Sequence, residues 1–73
     1  MLSTKRERVE KKVKSLNALL AEYRGELEEA EQRLHRREIG TEEAERIKAK
    51  TKARMDNISE KIRAARSELQ GLK

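Results

Sequence analysis

The chain has 73 residues, of which 45% are charged and 34% are apolar, and it carries a net charge of +5. This length allows one small domain spanning 1–73, and the absence of cysteine excludes disulfides and thiolate metal sites. No apolar run approaches the roughly 18 residues of a membrane span and no signal peptide is recognisable, so we expect a cytoplasmic protein without membrane contact.

The first predicted element is a helix from about residue 4 to 38. Thr4 and Glu7 have the spacing of a capping box, in which side-chain oxygens accept hydrogen bonds from free backbone amides. Apolar residues then recur at alternating spacings of three and four, which keeps one helix face turned toward a partner helix. This half of the apolar seam consists of Val9, Val13, Leu16, Leu20, Tyr23, Leu27, Ala30 and Leu34.

A turn is predicted at residues 39–41, where stop and start signals coincide. Gly40 can adopt the left-handed conformation that closes a helix, and Thr41 is a suitable cap for the next one. Helix 2 is predicted from about 42 to 70, with Glu42 and Glu43 in its first turn, where the helix dipole favours anions. Its half of the seam consists of Met55, Ile58, Ile62, Ala65, Leu69 and Leu72.

Two shapes are compatible with this broken seam, a continuous rod and an antiparallel hairpin. The seven-residue phase continues across the turn, which favours the rod, but a rod would bury Arg37 and Lys48 on the seam. A hairpin with Leu20 opposite Ile58 gives layers that are compatible with a core from Val9 to Leu34, except the layer of Ala30 and Lys48. It also sets the acidic segment 22–31 beside the basic segment 48–54, so we predict the hairpin.

A lone two-helix hairpin buries little apolar surface, so the sequence also predicts self-association. The expected fold is all-α, an antiparallel two-helix coiled-coil hairpin that dimerises into a four-helix bundle. The predicted function is a non-enzymatic interaction or assembly module that binds a second copy of itself or a partner helix. The residues predicted to form that surface are Val9, Val13, Leu16, Leu19, Leu20, Tyr23, Leu27, Leu34, Ile47, Met55, Ile58, Ile62, Leu69 and Leu72.

The excess positive charge lies at the two ends of the chain, which meet in a hairpin. Residues 15–63 hold 11 basic and 11 acidic side chains and therefore sum to zero. An alternative function follows, in which a small basic protein binds the phosphate backbone of RNA or DNA. Base recognition is not expected, because Phe and Trp are absent and the one Tyr lies on the seam. The predicted phosphate contacts are Lys5, Arg8, Lys11, Lys12, Lys14, Arg66 and Lys73.

Catalysis is not expected from this sequence. The seryl and threonyl hydroxyls have no activating base arranged beside them, and a narrow bundle offers little concavity for a small-molecule substrate. Glu31, His35 and Glu38 lie one turn apart but lack a second His or any Cys, so they indicate a solvated cluster without metal. We therefore expect no catalytic residue, no cofactor and no metal site.

In outline, the predicted hairpin is similar to the small basic helical hairpin of the large ribosomal subunit and to the hairpin arm of seryl-tRNA synthetase. This similarity is one of shape and charge, and it implies a ribosome-associated role within the alternative function. The stretch from Arg33 to Arg46 also looks like the Gly-x-acidic turn of short helical-hairpin oligomerisation modules, although Ala44 stands where those modules carry a large apolar residue.

Overall fold

Two long helices packed side by side make up the computed structural model, which describes residues 4–72. Helix α1 spans Lys5–His35 and helix α2 spans Thr41–Gly71. The molecule measures 52 × 22 × 12 Å, and the smallest dimension is about the diameter of one helix, so the two helices form a single layer. The predicted helical hairpin is confirmed, and the continuous rod is excluded.

Helix α1 begins with one half of the predicted capping box, the bond to the Thr4 hydroxyl. Thr4 has an extended backbone, and its Oγ1 accepts a hydrogen bond from the backbone N–H of Glu7 at 3.1 Å. One of the free amides of the first turn is thereby satisfied.

Helix α1 ends at His35, three residues before the predicted boundary at 38, because a left-handed residue closes it early. That residue is Arg37, with φ of 60°, and not Gly40. The N–H of Glu38 donates to the carbonyl oxygen of Arg33 at 2.9 Å, and the N–H of Arg37 donates to that of Leu34 at 3.0 Å. These two bonds define a Schellman motif, which satisfies carbonyl groups that the helix end would leave free.

Helix α2 begins one residue earlier than predicted, so the role expected of Thr41 belongs to Gly40. Gly40 is the N-cap, with φ of −86° and ψ of 171°, and its carbonyl oxygen accepts from the N–H of Ala44 at 3.0 Å. Thr41 is the first helical residue. Glycine has no side chain to cap the free amides, so α2 starts without a side-chain cap.

The two helices run antiparallel in a register close to the predicted one. At the open end, where the termini meet, Arg6 Nη2 donates to the carbonyl oxygen of Leu72 at 2.9 Å. Near the turn, Lys48 forms an ion pair with Glu31. Both contacts lie within one residue of the register that places Leu20 opposite Ile58.

Small side chains are the most completely buried residues of the helix interface. Ala44 is 0% exposed, and Ala30, Thr51 and Ala65 are each 3% exposed. In the observed register, Ala44, Thr51 and Ala65 lie opposite Leu34, Leu27 and Val13, which are only half-buried. The larger side chain therefore shields the small one, while its own outer side stays in solvent because no second layer covers it.

No helix within residues 4–72 combines the length and apolar character needed to cross a membrane.

Candidate interaction surface

The flat hairpin has two broad faces, which can be told apart by the grooves between the helices. We call one the leucine face; its groove is lined by Leu20, Ile62 and the polar residues Asn17, Arg24 and Ser59. The heptad repeat places three further half-buried residues of α1 in the same row as Leu20. These are Val13, Leu27 and Leu34.

We call the opposite face the tyrosine face. One groove there is lined by Val9, Lys12 and Glu68, and a second by Glu26, Ala30 and Ile47. Leu16 and Tyr23 lie between Val9 and Ala30 at seven-residue intervals, so they belong to the same row.

The outermost row of α1 differs between the faces. On the leucine face this row is polar throughout, and it consists of Glu10, Asn17, Arg24 and Glu31. On the tyrosine face the corresponding row has Leu19 at its centre, and Leu19 is half-buried. Leu16, Leu19 and Tyr23 are neighbours on the helix surface and form an apolar patch at the middle of the tyrosine face.

The predicted surface residues all lie within residues 4–72, and each of them is buried or half-buried. Val9, Ile58 and Ile62 are buried, at 6%, 7% and 7% exposure respectively. The others are half-buried: Val13, Leu16, Leu19, Leu20, Tyr23, Leu27, Leu34, Ile47, Met55, Leu69 and Leu72.

Sequence reasoning did not include Ile39 in the packed surface. Ile39 is 6% exposed and packs inside the turn, where it closes the end of the hairpin. Its seven-residue phase places it off the seam, and this phase stops being informative once the chain leaves the helix at His35. The available signal was composition, because Ile39 is a large apolar residue in an otherwise charged segment.

The predicted phosphate contacts lie together at the open end of the hairpin, except Lys73, which is outside the described residues. Arg8, Lys11, Lys12, Lys14 and Arg66 are exposed. Their positions spread around α1, because Arg8 and Lys12 line a groove of the tyrosine face whereas Lys11 and Lys14 line one on the opposite side.

Two ion pairs join the helices within residues 4–72, one at the open end and one near the turn. At the open end, Glu68 Oε1 lies 3.5 Å from Lys5 Nζ. Near the turn, Glu31 is paired with Lys48. Lys5 reaches Glu68 because a long side chain can extend along the helix by about one turn.

The cluster of Glu31, His35 and Glu38 is engaged in ion pairs. Glu31 pairs with Lys48, and Glu38 lies between Arg33 and Arg36. Within residues 4–72, no three His, Asp or Glu side chains come together in a way that could hold a metal ion.

Comparison with known proteins gives no further information on this surface: no family model, no curated protein and no solved structure matches the chain.

Proposed function

We propose that this chain is a non-enzymatic assembly module whose hairpin pairs with a second copy to form a four-helix bundle. The observation that carries the proposal is the unfinished core. Within residues 4–72 every Leu, Met and Tyr side chain is only half-buried, although apolar residues run along nearly the whole length of both helices.

Energetic considerations favour a second layer. Full burial of a Leu, Ile or Val side chain contributes about 1.5–3 kcal/mol relative to exposure, and a half-buried residue gains only part of this. A chain of this size also buries a small fraction of its surface when it folds alone. Each hairpin face measures about 52 × 22 Å, which is large enough for the roughly 800 Å² per partner of a standard interface.

Self-association can be tested by sedimentation equilibrium of the full chain at concentrations from about 1 to 100 μM, together with thermal unfolding followed by circular dichroism. We expect a dimer and a Tm that rises with protein concentration, because dimerisation stabilises the folded state by mass action. A folded monomer whose Tm does not change over this range would contradict the proposal. That outcome would favour capture of a helix from another protein.

A second candidate function, binding to a nucleic-acid phosphate backbone, is supported by the hydrogen bond between Arg6 and Leu72. The contact forms where antiparallel packing brings the two ends of the chain together, which gathers the excess charge at the open end. Binding of this kind would tolerate any base sequence and would weaken steeply with salt.

The second candidate is tested by titrating generic duplex DNA and single-stranded RNA at about 50 mM and 200 mM salt. The double variant Lys11→Glu, Lys14→Glu should lower the affinity. Its control, Lys50→Glu with Lys52→Glu, changes the net charge equally but leaves the open end intact. Equal effects of the two variants, or no binding at about 50 mM salt, would remove this candidate.

A further inference from the structure

We propose that the second copy binds the tyrosine face in an antiparallel orientation, with the two-fold axis passing beside Leu19. This inference rests on the proposed self-association and specifies its geometry. The two turns would then lie at opposite ends of the dimer, and α1 of one copy would pack on α1 of the other.

The argument begins with the arrangement of residues around Leu19. Lys12 precedes Leu19 by seven residues and Glu26 follows it by seven, so all three lie in one row of the tyrosine face. A two-fold axis at Leu19 places Lys12 of each copy beside Glu26 of the other. The central part of this row, from Lys12 to Glu26, is therefore complementary to itself, as a two-fold interface requires. At its ends the axis sets Lys5 beside Arg33, and each of these charges already has a glutamate partner in its own chain, Glu68 and Glu38 respectively.

Neighbouring rows obey the same symmetry. The axis sets Leu16 of one copy beside Tyr23 of the other, which adds two large apolar contacts on either side of the central Leu19 pair. It also sets Arg8 near Glu29, on the outer edge of α1. Both pairs are offset by only one residue from exact two-fold symmetry about Leu19, which would set Leu16 beside residue 22 and Arg8 beside residue 30.

Lys12 and Glu26 are available for such contacts. Neither takes part in an ion pair or a side-chain hydrogen bond within residues 4–72, and both are exposed. Each lines a groove of the tyrosine face, at opposite ends of the patch made by Leu16, Leu19 and Tyr23.

On α1, the leucine face fits a second copy less well than the tyrosine face. Its outermost row places Asn17 and Arg24 over the groove that contains Leu20 and Ile62, so a second copy would have to cover an amide and a guanidinium at the centre of the interface. Polar groups covered without a partner are costly.

On α2, the tyrosine face carries the exposed Arg54 and Lys61 in the row of Ile47 and Glu68. The preference for the tyrosine face therefore comes from α1.

Charge also selects the antiparallel orientation. With both turns at the same end, the two basic open ends would lie on each other. In the antiparallel dimer each open end instead lies over the partner's turn end. The axis sets residues 5–14 of one copy over residues 24–33 of the other, where four glutamates outnumber two arginines: Glu26, Glu28, Glu29 and Glu31 against Arg24 and Arg33. Like-charge contacts are reduced, and the excess charge is spread to the two ends of the bundle.

Single cysteines test the position of the axis, because the chain has no native cysteine. Under mild oxidation, Leu19→Cys should give a disulfide-linked dimer as the main product, since the two side chains meet at the axis. The matched control is Ala21→Cys, an exposed position on the opposite side of the same turn of α1, which should remain largely monomeric in denaturing electrophoresis. Efficient crosslinking through Ala21→Cys but not Leu19→Cys would overturn the inference.

Charge reversal provides a second readout that does not depend on oxidation. Lys12→Glu should raise the dimer dissociation constant about tenfold by creating two like-charge contacts, and adding Glu26→Lys should restore it. Lys14→Glu with or without Glu28→Lys is the control, because this pair has the same spacing outside the tyrosine face. Failure of Glu26→Lys to rescue Lys12→Glu would overturn the antiparallel geometry.

These results separate the inference from the proposed function. A wild-type chain that sediments as a dimer but fails both tests retains self-association and loses this geometry. A wild-type monomer at about 100 μM removes both.

Discussion

Lys48 of α2 and Glu31 of α1 form an ion pair beside the buried Ala30. Between Val9 and Leu34, this is the one seam layer in which the hairpin register places a charged residue opposite an apolar one. The Lys48 side chain is only 21% exposed, so its aliphatic stem lies against the interface while the amino group reaches the carboxylate at the edge. A position that looked unfavourable for the hairpin therefore contributes a contact between the two helices.

Reversing this pair should have a small but directional effect. Lys48→Glu should lower the free energy of unfolding by about 1 kcal/mol, because it loses an ion pair and faces Glu31 with the same charge. Adding Glu31→Lys should recover most of that loss, as measured by urea unfolding at one protein concentration. Lys50→Glu is the control, because Lys50 is exposed. If the double variant is no more stable than Lys48→Glu, the pair does not couple the helices.

Close helix packing at Ala65 can be tested against its neighbour. Ala65 is 3% exposed and lies opposite Val13, whereas Ala64 is exposed. Ala65→Leu should destabilise the hairpin by about 1–3 kcal/mol, because the larger side chain must push the helices apart. Ala64→Leu should change stability by less than about 0.5 kcal/mol. Equal denaturation midpoints for the two variants would mean that the helices do not approach closely at this layer.

Two substitutions in the turn, one at residue 37 and one at residue 40, are expected to stabilise the folded chain. Arg37→Gly should stabilise the chain by about 0.5–1 kcal/mol, because arginine is strained at φ of 60° and glycine is not. Gly40→Ser should add a few tenths of a kcal/mol, since the hydroxyl would cap α2 and a Cβ at Gly40 meets no atom within 4 Å. Thermal unfolding of each single variant and of their combination provides the measurement. Destabilisation by Arg37→Gly would place the left-handed residue elsewhere.

The hairpin itself predicts a short distance between positions far apart in sequence. Spin labels at Lys11 and Ser67, both exposed, should be separated by about 20–30 Å, given helix axes about 8–10 Å apart and labels on the outer surface. A rod would place them about 80 Å apart, from 1.5 Å per residue. Pulsed dipolar spectroscopy on chains labelled at low density and diluted with unlabelled protein measures the distance within one chain.

Much of the fold was predictable because local chemistry and the apolar period agree. The cap at Thr4 and the seam from Val9 to Leu34 required only nearest-turn contacts, and both are properties of an isolated helix. Near residue 40 the prediction was less accurate, because glycine is the usual left-handed residue but any residue can be forced into that conformation by tertiary contacts. Burial of Ile39 in the turn and the Glu38 ion pairs accompany such a conformation at Arg37.

The sequence predicted which residues contribute to the candidate surface, but it did not predict which of the two hairpin faces each residue lies on. Periodicity placed Leu16, Leu19 and Leu20 near the interface, yet it could not tell which side chain would be shielded by the other helix. That depends on the sizes of the residues opposite: Ala65 is buried because Val13 covers it, and Val13 stays half-buried because nothing covers it in turn.

By itself, the sequence determined two amphipathic helices and a reversal near residue 40, because these follow from short-range capping and from a seven-residue apolar repeat. Only the tertiary structure decided that Arg37 closes α1, that Glu31 and Glu68 pair with Lys48 and Lys5, and that the apolar surface divides into two unequal faces. The physical reason is that each of these features depends on distances between residues far apart in the chain. Such distances are fixed only when the two helices pack.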